Sequence, residues 1–375
     1  MQQNKLHIVS FDVPYPVDYG GAIDVYYKLK ALHDAGIEIY LHCFNYGRQE
    51  SKELYKLCKE VFYYPRNTGI KGVSLNKPYI VNSRKNPLLL KRLQEVDAPI
   101  LFEGMHTTYY LNHSSLNNRK KAVRTHNIES DYYKQLASKE SNLIKKSYYS
   151  IESSLLDHYE RTLINSDAFF SLSIDDEKHF ASLYPNTKHQ FVAPFHPFGS
   201  VNSLTGSGNY CLYHGNLSHP ENIEACLFLL NDVFNTIEVP FIVAGKNPSD
   251  TIIAACNESE HCQLIANPSA EEMNRLIANA HIHTMPTFQQ SGMKLKLLYA
   301  LFNGRHIITT PQMLAGTGLN DICTLATTSG SFISAINNVM PNDFSDADIT
   351  KRKTALQQHY TNTINAQKII TWMQE

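Results

Sequence analysis

Short apolar runs alternate with segments of helical periodicity along almost the whole chain. Residues 6–11 form an apolar run, residues 12–21 are rich in proline and glycine, and residues 22–36 repeat apolar side chains at helical spacing. A second apolar run follows at 37–44. The chain therefore begins with a predicted strand, loop, helix and strand, and such a βαβ unit has a right-handed crossover between parallel strands.

The same alternation continues through two halves of similar size. In the first half, further strands are predicted at 61–64, 99–102, 122–125 and 168–173, and helices at 87–96, 141–166 and 175–183. After a Pro- and Gly-rich break, strands are predicted at 210–214, 240–244, 262–266, 280–285 and from 307, and helices at 220–234, 248–258, 269–279 and from 293.

This order of elements predicts an α/β fold with two Rossmann-like, doubly wound parallel-sheet domains that face each other across a cleft. A chain of 375 residues is also longer than one core usually accommodates. The predicted division is a first domain at 1–195, a linker at 196–209, a second domain at 210–342 and C-terminal helices at 343–375 that pack back on the first domain.

The longest helical segment, residues 141–166, carries a specific prediction about burial. Glu152 and Glu160 are expected at solvated positions or between helices. Apolar side chains at helical spacing are expected to face the core, namely Ile144, Tyr148, Ile151, Leu155, Tyr159 and Leu163. Near the other end of the chain, Gly304 is expected to close a helix with a positive φ angle.

Composition narrows the classes of function. The 34 basic and 35 acidic side chains nearly cancel, so the chain as a whole has no field that attracts nucleic acid, and any anion site must be local. The seven cysteines never show Cys-x-x-Cys spacing, which argues against a disulfide framework or a structural zinc site. No apolar run near the N-terminus suits a signal peptide or a membrane span. We expect a cytoplasmic protein with no nucleic-acid partner and at most peripheral membrane association.

Residues 285–311 combine a small-residue loop, a lysine-bearing helix and a strand. Ser291 and Gly292 can turn the backbone so that the first amides of a helix beginning near Met293 point outward. Lys294 and Lys296 add formal positive charge beside those amides. This pattern indicates a phosphate cradle. The alternative is an ordinary amphipathic helix with two solvated lysines.

The loop after the first strand is the next candidate. It carries Tyr15 and the pair Gly20-Gly21, and two residues without side chains would let a ligand approach the backbone ahead of the first helix. The alternative is a simple tight turn. The loop lacks the Gly-x-Gly-x-x-Gly spacing of a dinucleotide site, which argues against a dehydrogenase.

Ionisable side chains follow two further strands of the first half. The strand at 99–102 is followed by Glu103 and His106, and the strand at 122–125 by His126 and Asn127. Ligands gather at the carboxyl ends of parallel strands, so these four residues are candidates for substrate contact, with His126 as the catalytic candidate. The alternative is a structural role at a strand end or at the start of the next helix.

The order of these segments resembles the GT-B glycosyltransferases, in particular the large retaining nucleotide-sugar transferase family (glycosyl transferases group 1, family 4). The resemblance spans nearly the whole chain. It rests on the Gly20-Gly21 loop, on Arg124-Thr125-His126-Asn127, on the turn from His214-Gly215-Asn216-Leu217 to Pro220-Glu221-Asn222, on Val243-Ala244-Gly245-Lys246, and on the segment from Ser291 to Ala300.

The resemblance implies a different role for each group of candidate residues. His126 would hydrogen-bond a hydroxyl of the donor sugar or stabilise the oxocarbenium-like centre through its neighbouring carbonyl. The implied acceptor and sugar contacts are Tyr15, Glu103, His106 and Asn127. The implied donor contacts are Gly20, Gly21, Asn216, Lys246, Ser291, Gly292, Met293, Lys294, Lys296 and Tyr299. No metal or cofactor is implied, because basic residues and helix amides would neutralise the departing diphosphate.

The implied activity is retaining, metal-independent transfer of a hexose-type sugar from a nucleoside-diphosphate sugar to a glycan or lipid-linked acceptor, as in polysaccharide biosynthesis. Two alternatives stay open. One is a nucleotide-sugar epimerase on the same fold. The other is a catalytically silent binding subunit, because the family commonly has two glutamates where this chain has Ser291 and Tyr299.

Overall fold

The computed structural model describes residues 4–289 and 295–375, which divide into two compact units. The first unit contains residues 4–197 and 359–375, and the second contains the described residues between 198 and 358. Each unit has its own parallel sheet, so the predicted α/β fold with two Rossmann-like sheets is confirmed. Among the described residues, we find no helix with the length and apolar character needed to cross a bilayer.

The first unit is built on a seven-stranded parallel sheet with the order β3-β2-β1-β4-β5-β6-β7. Its strands are β1 (Lys5–Ser10), β2 (Glu38–Asn45), β3 (Glu60–Pro65), β4 (Ile100–Glu103), β5 (Lys121–Thr125), β6 (Ala168–Ser171) and β7 (Lys188–Phe191). Its helices up to residue 197 are α1 (Gly20–Asp34), α2 (Tyr79–Asn82), α3 (Pro87–Glu95), α4 (Glu129–Lys139), α5 (Leu143–Glu160) and α6 (Ile174–Leu183). The strand order reverses between β1 and β4, which brings the loops after β1, β4 and β5 to one place at the carboxyl edge.

The second unit repeats this plan with six parallel strands in the order β10-β9-β8-β11-β12-β13. The strands are β8 (Cys211–Asn216), β9 (Phe241–Lys246), β10 (Cys262–Ala266), β11 (Ile282–Met285), β12 (His306–Thr309) and β13 (Thr324–Leu325). The helices are α7 (Pro220–Phe228), which continues as a π-helical turn over Leu229–Val233, α8 (Asp250–Asn257), α9 (Ala270–Asn279), α10 (Leu295–Asn303), α11 (Pro311–Leu314), α12 (Ser329–Val339) and α13 (Asp346–His359).

The last helix, α14 (Asn362–Gln374), belongs to the first unit. Its apolar face joins the core under α1, where Ile369, Trp372 and Met373 are almost fully buried. The Trp372 ring meets Phe170 of β6 edge to face, with 5.6 Å between the ring centroids. Burial of this stripe stabilises the first unit with residues from the far end of the chain.

The burial predicted for the long helix is wrong over its first two turns. Ile144, Tyr148 and Ile151 expose 83%, 41% and 61% of their surface. Glu152 and Glu160 take the second of the positions expected for them, between helices, where their carboxylates are buried and accept hydrogen bonds from the backbone amides of Tyr79 and Ser130. Helical periodicity located the helix, and these specific hydrogen bonds decided which face is inside.

The expectation for Gly304 is also wrong in its reason. Its φ angle does not lie in the left-handed region. A Cβ at this position would lie 2.0 Å from Nε2 of His283 and 2.9 Å from the carbonyl oxygen of Ala300. Glycine is therefore required here because the buried His283 ring packs directly against the backbone.

Candidate functional site

A fully buried network of charges lies beneath the carboxyl edge of the first sheet. The Lys28 ammonium on α1 donates to Oδ2 of Asp24 at 3.1 Å and to Oε1 of Glu103 at 2.6 Å. Arg124 on β5 clamps Asp24 with two hydrogen bonds, Nε to Oδ2 at 3.0 Å and Nη2 to Oδ1 at 2.8 Å. None of these four side chains is exposed to solvent. The two cations balance the two carboxylates, as charges removed from water require.

Arg124 and Asp24 also hold the chain that follows the last strand of this sheet. Arg124 donates to the carbonyl oxygens of Val192 and Ala193, and the backbone amide of Phe195 donates to Asp24 at 2.8 Å. Although burial opposes ionisation, the guanidinium and the Lys28 ammonium hold the pKa of Asp24 well below its usual range. The carboxylate is therefore ionised wherever the protein is folded near neutral pH.

His126 is connected to this network through Glu103. Its Nε2 lies 3.1 Å from Oε2 of Glu103, whose other oxygen is bound to Lys28. A carboxylate on one ring nitrogen fixes the orientation of an imidazole and directs its other nitrogen toward a reaction partner. Glu103 is completely buried, whereas His126 keeps 9% of its surface exposed. Of these two predicted residues, the histidine is the one that solvent or substrate can reach.

Asp24, Glu103 and His126 are also one group of possible metal ligands, since their ligand atoms lie within 4.8 Å of one another. The Lys28 ammonium contacts both carboxylates, and the Arg124 guanidinium contacts Asp24. A metal ion there would have to displace a buried, hydrogen-bonded cation. The geometry favours a positioning role for these carboxylates.

A second acidic cluster follows β4 and β5. Burial, reinforced by the neighbouring Glu160 carboxylate, raises the pKa of Glu129 to about 8. Glu160 accepts hydrogen bonds from the amide and hydroxyl of Ser130, and His106 Nδ1 lies 3.9 Å from Oε1 of Glu129. Burial, assisted by the charge on Arg84, holds the pKa of His106 well below its usual range. At neutral pH this pair therefore consists of a protonated carboxyl group and a neutral imidazole.

The raised pKa of Glu129 predicts a pH-dependent stability. The folded protein holds a proton that the unfolded chain releases above its ordinary pKa of about 4.5, so folding stability is lost as pH rises from about 4.5 through 8. Glu129→Gln keeps a neutral side chain at every pH. Between pH 5 and 8 the melting temperature of the variant should fall less than that of the parent, by roughly 5 °C for a difference of a few kcal/mol.

Glu95→Gln is the matched control, because that carboxylate is exposed and paired with Arg92 on the surface. Its melting temperature should follow the parent across the same pH range. Parallel pH dependences for Glu129→Gln and the parent would contradict a protonated Glu129.

The predicted glycine loop lies beside both histidines. Gly20 and Gly21 open α1, and a Cβ at Gly21 would lie 2.7 Å from the ring of Phe11. That ring meets His126 edge to face at 5.3 Å and His106 at 5.6 Å between centroids. A side chain does not fit at position 21, because the Phe11 ring occupies the space between Gly21 and the two histidines.

Tyr15 and Asn127 complete the predicted set in this unit. Tyr15 is half-buried, and its ring packs against Tyr26 at 5.9 Å. Asn127 follows His126 directly, and its Oδ1 is buried with no hydrogen-bond partner among the described residues. The first unit thus brings His106, His126 and Asn127 together at the carboxyl edge.

In the second unit, β8 and β9 run side by side up to the predicted donor loops. Gly215 pairs with Gly245, and Asn216 pairs with Lys246. Asn216 uses Oδ1 to accept hydrogen bonds from the amide and hydroxyl of Ser218, so its side chain shapes the turn. Lys246 is exposed at the end of β9.

Gly245 has no room for a side chain. A Cβ there would lie 1.9 Å from the carbonyl oxygen of Gly215, a backbone atom that can move only with its strand. Gly245→Ala should therefore cost about 2–4 kcal/mol and lower the melting temperature of the protein by roughly 5–10 °C. Gly330→Ala, where a Cβ meets nothing within 4 Å, should leave it unchanged or slightly raised. Equal melting temperatures for the two variants would contradict the close approach of β8 and β9.

The described part of the lysine-bearing helix packs against these loops. The Lys296 ammonium donates to Oδ1 of Asn222 at 2.9 Å and lies 5.2 Å from the Tyr213 ring centroid. Burial, together with the charge on Lys296, lowers the pKa of His214 to about 3, so this histidine is neutral. Lys296 is therefore held by contacts with Asn222 and Tyr213 of the second unit. It is not the freely solvated lysine of the alternative interpretation.

Tyr299 lies on the same helix and is half-buried. Its hydroxyl donates to Oδ1 of Asn274, and its ring packs against Phe198 with 4.8 Å between centroids. The predicted donor residues Ser291, Gly292, Met293 and Lys294 lie outside the described residues.

The residues that hold His126 in place are not among the sequence-based predictions. Asp24 and Lys28 stand four positions apart on α1, next to the apolar stripe of Val25 and Leu29, and this spacing places both on the inward side of the helix. Charges at such positions are a detectable pattern, but their partners Glu103 and Arg124 come from strands far along the chain.

Part of this chain matches a known protein family, and most of it matches one relative in sequence. The model of the family described as "Glycosyl transferases group 1" matches residues 208–342. An uncharacterized 44.6 kDa protein in the cps region of Klebsiella pneumoniae is 28% identical over 337 residues, which cover 84% of this chain and 85% of that protein. Residues 208–342 therefore match a glycosyltransferase family.

Solved structures of GT-B glycosyltransferases share the fold of this chain over nearly its whole length. Sucrose-phosphate synthase from Thermosynechococcus elongatus aligns with a TM-score of 0.68 at 10% identity, covering 98% of this chain and 97% of that one. The UDP-forming α,α-trehalose-phosphate synthase from Burkholderia vietnamiensis aligns with a TM-score of 0.64 at 9% identity, covering 98% and 99%. Arabidopsis thaliana UGT89C1, complexed with UDP-L-rhamnose, aligns with a TM-score of 0.59 at 13% identity and complete coverage of both chains. The resemblance to GT-B glycosyltransferases is therefore confirmed.

Proposed function

We propose that this glycosyltransferase moves a hexose-type sugar from a nucleoside-diphosphate sugar to a glycan or lipid-linked acceptor, with retention of configuration and without a metal. The observation that carries the proposal is the orientation of His126 by Glu103 at the carboxyl edge of the first sheet. The relative in a cps region supports a role in polysaccharide biosynthesis. The neighbour solved with UDP-L-rhamnose supports a nucleotide-sugar donor.

In this proposal the second unit holds the donor. Lys294 and the amides of Gly292 and Met293 bind the diphosphate, and Lys246 and Lys296 add positive charge near it. A nucleoside diphosphate leaves readily only when the charge that develops on its oxygens is neutralised. Tyr299 cannot accept hydrogen bonds from both ribose hydroxyls as a carboxylate does, so other groups of the same loops contact the ribose.

The first unit supplies the groups for the sugar and the acceptor. His126 hydrogen-bonds the transferred sugar, and its backbone carbonyl faces the oxocarbenium-like centre. Glu103 acts through His126, because both of its oxygens are taken by Lys28 and the imidazole. Nδ1 of His106 and Oδ1 of Asn127 are buried and have no hydrogen-bond partner in the part of the chain that the structure describes, which suits hydrogen bonding to an acceptor hydroxyl.

The diphosphate assignment predicts a selective effect of Lys294→Ala. The variant should bind UDP or GDP about tenfold more weakly, since one charge-assisted hydrogen bond is lost, while binding of uridine or guanosine changes little. Thermal shift titrations of the four ligands measure this difference. Lys353→Ala, an exposed lysine of α13, is the control and should bind all four like the parent. Equal loss of nucleoside and nucleotide binding would refute the assignment.

A panel of UDP-glucose, UDP-N-acetylglucosamine and GDP-mannose separates the remaining possibilities. The proposal predicts that one donor raises the melting temperature and releases its nucleoside diphosphate. Conversion of a donor to its epimer without acceptor would identify an epimerase. The absence of both binding and turnover with every donor would identify a silent subunit. The observation that favours this alternative is that the Tyr299 hydroxyl donates its hydrogen bond to Asn274 within the protein.

A further inference from the structure

A polar cavity lies at the amino edge of the first sheet, where β5 and β6 begin. Its volume is about 310 Å³. Arg119 and Lys121 line it at the start of β5, and Ser166 and Asp167 line it just ahead of β6. His126 follows the carboxyl end of β5, so the length of this strand, roughly 16 Å, separates the cavity from the candidate site.

The cavity lining includes a buried hydroxyl group that has no partner within the described chain. Only 6% of the surface of Ser166 is exposed, and its Oγ makes no hydrogen bond to any described residue. Buried hydroxyl groups are nearly always hydrogen-bonded, so one that lines a cavity without a protein partner indicates a ligand or an ordered water. A hydroxyl both donates and accepts, which is also what a ligand hydroxyl requires of its partner.

Two cations at the same cavity keep hydrogen-bonding capacity for a ligand. Lys121 is almost fully buried, and its ammonium uses one of three N–H groups to donate to the carbonyl oxygen of Leu116 at 3.1 Å. The Arg119 side chain is 14% exposed and pairs with Asp97, whose side chain is 91% exposed. An ion pair so open to water is weak, so the guanidinium can exchange Asp97 for a ligand carboxylate at little cost.

The rest of the lining supplies acceptors and amides. Oδ2 of Asp167 accepts from the backbone amide of Lys121 at 2.7 Å, which leaves its other oxygen as an acceptor for a ligand hydroxyl. Asn117 and Asn165 add side-chain amides that donate and accept. Two cations against one carboxylate give this lining a positive charge, although the whole chain has a net charge of −1. These groups suit a ligand with several hydroxyls and one negative charge.

We propose that this cavity binds an acidic saccharide unit, a sugar ring that carries a carboxylate. Arg119 and Lys121 hold the carboxylate by charge-assisted hydrogen bonds, and Ser166 and Asp167 bind ring hydroxyls. An inorganic anion fits less well, because the Asp167 carboxylate repels it and gains no hydrogen bond from it. A neutral sugar leaves the positive charge of the lining unused. Binding at this edge needs neither the donor nor His126, so the inference goes beyond the transfer reaction.

The test is calorimetric titration of the full chain with glucuronate, glucose, acetate and inorganic phosphate. Glucuronate should bind at least about tenfold more tightly than the other three, because it alone offers both ring hydroxyls and a carboxylate. Arg119→Gln should bind glucuronate about tenfold more weakly and lose the preference for glucuronate over glucose. Arg275→Gln is the control, since this arginine is exposed on α9 of the second unit, and it should bind like the parent.

Ser166→Ala separates a binding role from a structural one. Because Oγ has no protein partner within the described chain, its removal should leave the melting temperature unchanged or slightly raised. Glucuronate binding should nevertheless weaken about fivefold, since one hydrogen bond to the ligand is lost. A purely structural serine would show no loss of binding in a variant of unchanged stability.

Four results would overturn the proposal. Absence of glucuronate binding would show that the cavity holds water only. Binding of glucose, acetate or phosphate as tight as that of glucuronate would contradict an acidic saccharide. Unchanged glucuronate binding by both Ser166→Ala and Arg119→Gln would place the ligand elsewhere. Loss of glucuronate binding in His126→Ala would place it in the candidate site. We expect His126→Ala to bind glucuronate like the parent whether or not it turns over donor, which distinguishes a failure of this inference from a failure of the proposed function.

Discussion

Asp24→Asn should lower the stability of the first unit by about 3–5 kcal/mol, the cost of breaking a buried ion pair by removing one partner. The carboxylate accepts from Arg124, Lys28 and the amide of Phe195. An asparagine of the same shape offers one oxygen and turns an NH₂ group toward two cations. Among the described residues, Glu103 is then the one carboxylate left in this network for the buried guanidinium and ammonium.

Thermal unfolding measures this effect as a melting temperature lower by roughly 10 °C. Asp34→Asn, on the same helix, provides the control. Asp34 is 56% exposed in its pair with Lys30, and loss of such a surface pair should change the melting temperature by no more than about 2 °C. Similar melting temperatures for Asp24→Asn and Asp34→Asn would show that the network does not hold the unit together.

His126→Ala should lower kcat by about 10²- to 10³-fold, the range expected when a group that stabilises the reacting centre is removed. The loss should appear in kcat, because in our proposal the diphosphate binds the second unit and its affinity is unaffected. Binding of UDP or GDP should therefore match the parent. Steady-state kinetics with the donor identified from the panel give kcat, and thermal shift gives nucleotide affinity.

The folded state should survive this substitution. His126 keeps contact with solvent and is the outermost member of the network, whereas Lys28 still neutralises Glu103 when the imidazole is removed. His113→Ala, an exposed histidine of the same unit, is the control and should keep the parent's kcat. A kcat for His126→Ala within about twofold of the parent would exclude the imidazole from the reaction.

Much of the fold could be predicted because the two sheets are built from buried strands that read as continuous apolar runs. Every strand predicted before residue 289 is present with small shifts at its ends. The strand β7 escaped prediction because Lys188, His189 and Gln190 make it polar, as suits an edge strand. The two-residue strand β13 is too short to leave any periodicity.

The site could be predicted only in part. Position at a strand end indicated His126 and Glu103, since parallel strands place such residues at one edge. It did not indicate that Lys28, from a helix, lies between two carboxylates, because that depends on packing between elements separated by 75 residues along the chain. For the same reason the sequence leaves open whether Glu103 orients the acceptor or has a structural role at the strand end, whereas the structure shows it buried behind the histidine.

The proposed reaction is tested most directly by nucleoside diphosphate release from UDP-glucose, UDP-N-acetylglucosamine and GDP-mannose, measured for the parent and for His126→Ala. The configuration of the released or transferred sugar is followed by NMR. We expect the parent to release the diphosphate from one donor with retention of the sugar's anomeric configuration, and His126→Ala to bind the nucleotide but release almost none. Release at equal rates by parent and variant, or no release from any donor, would contradict the proposed reaction.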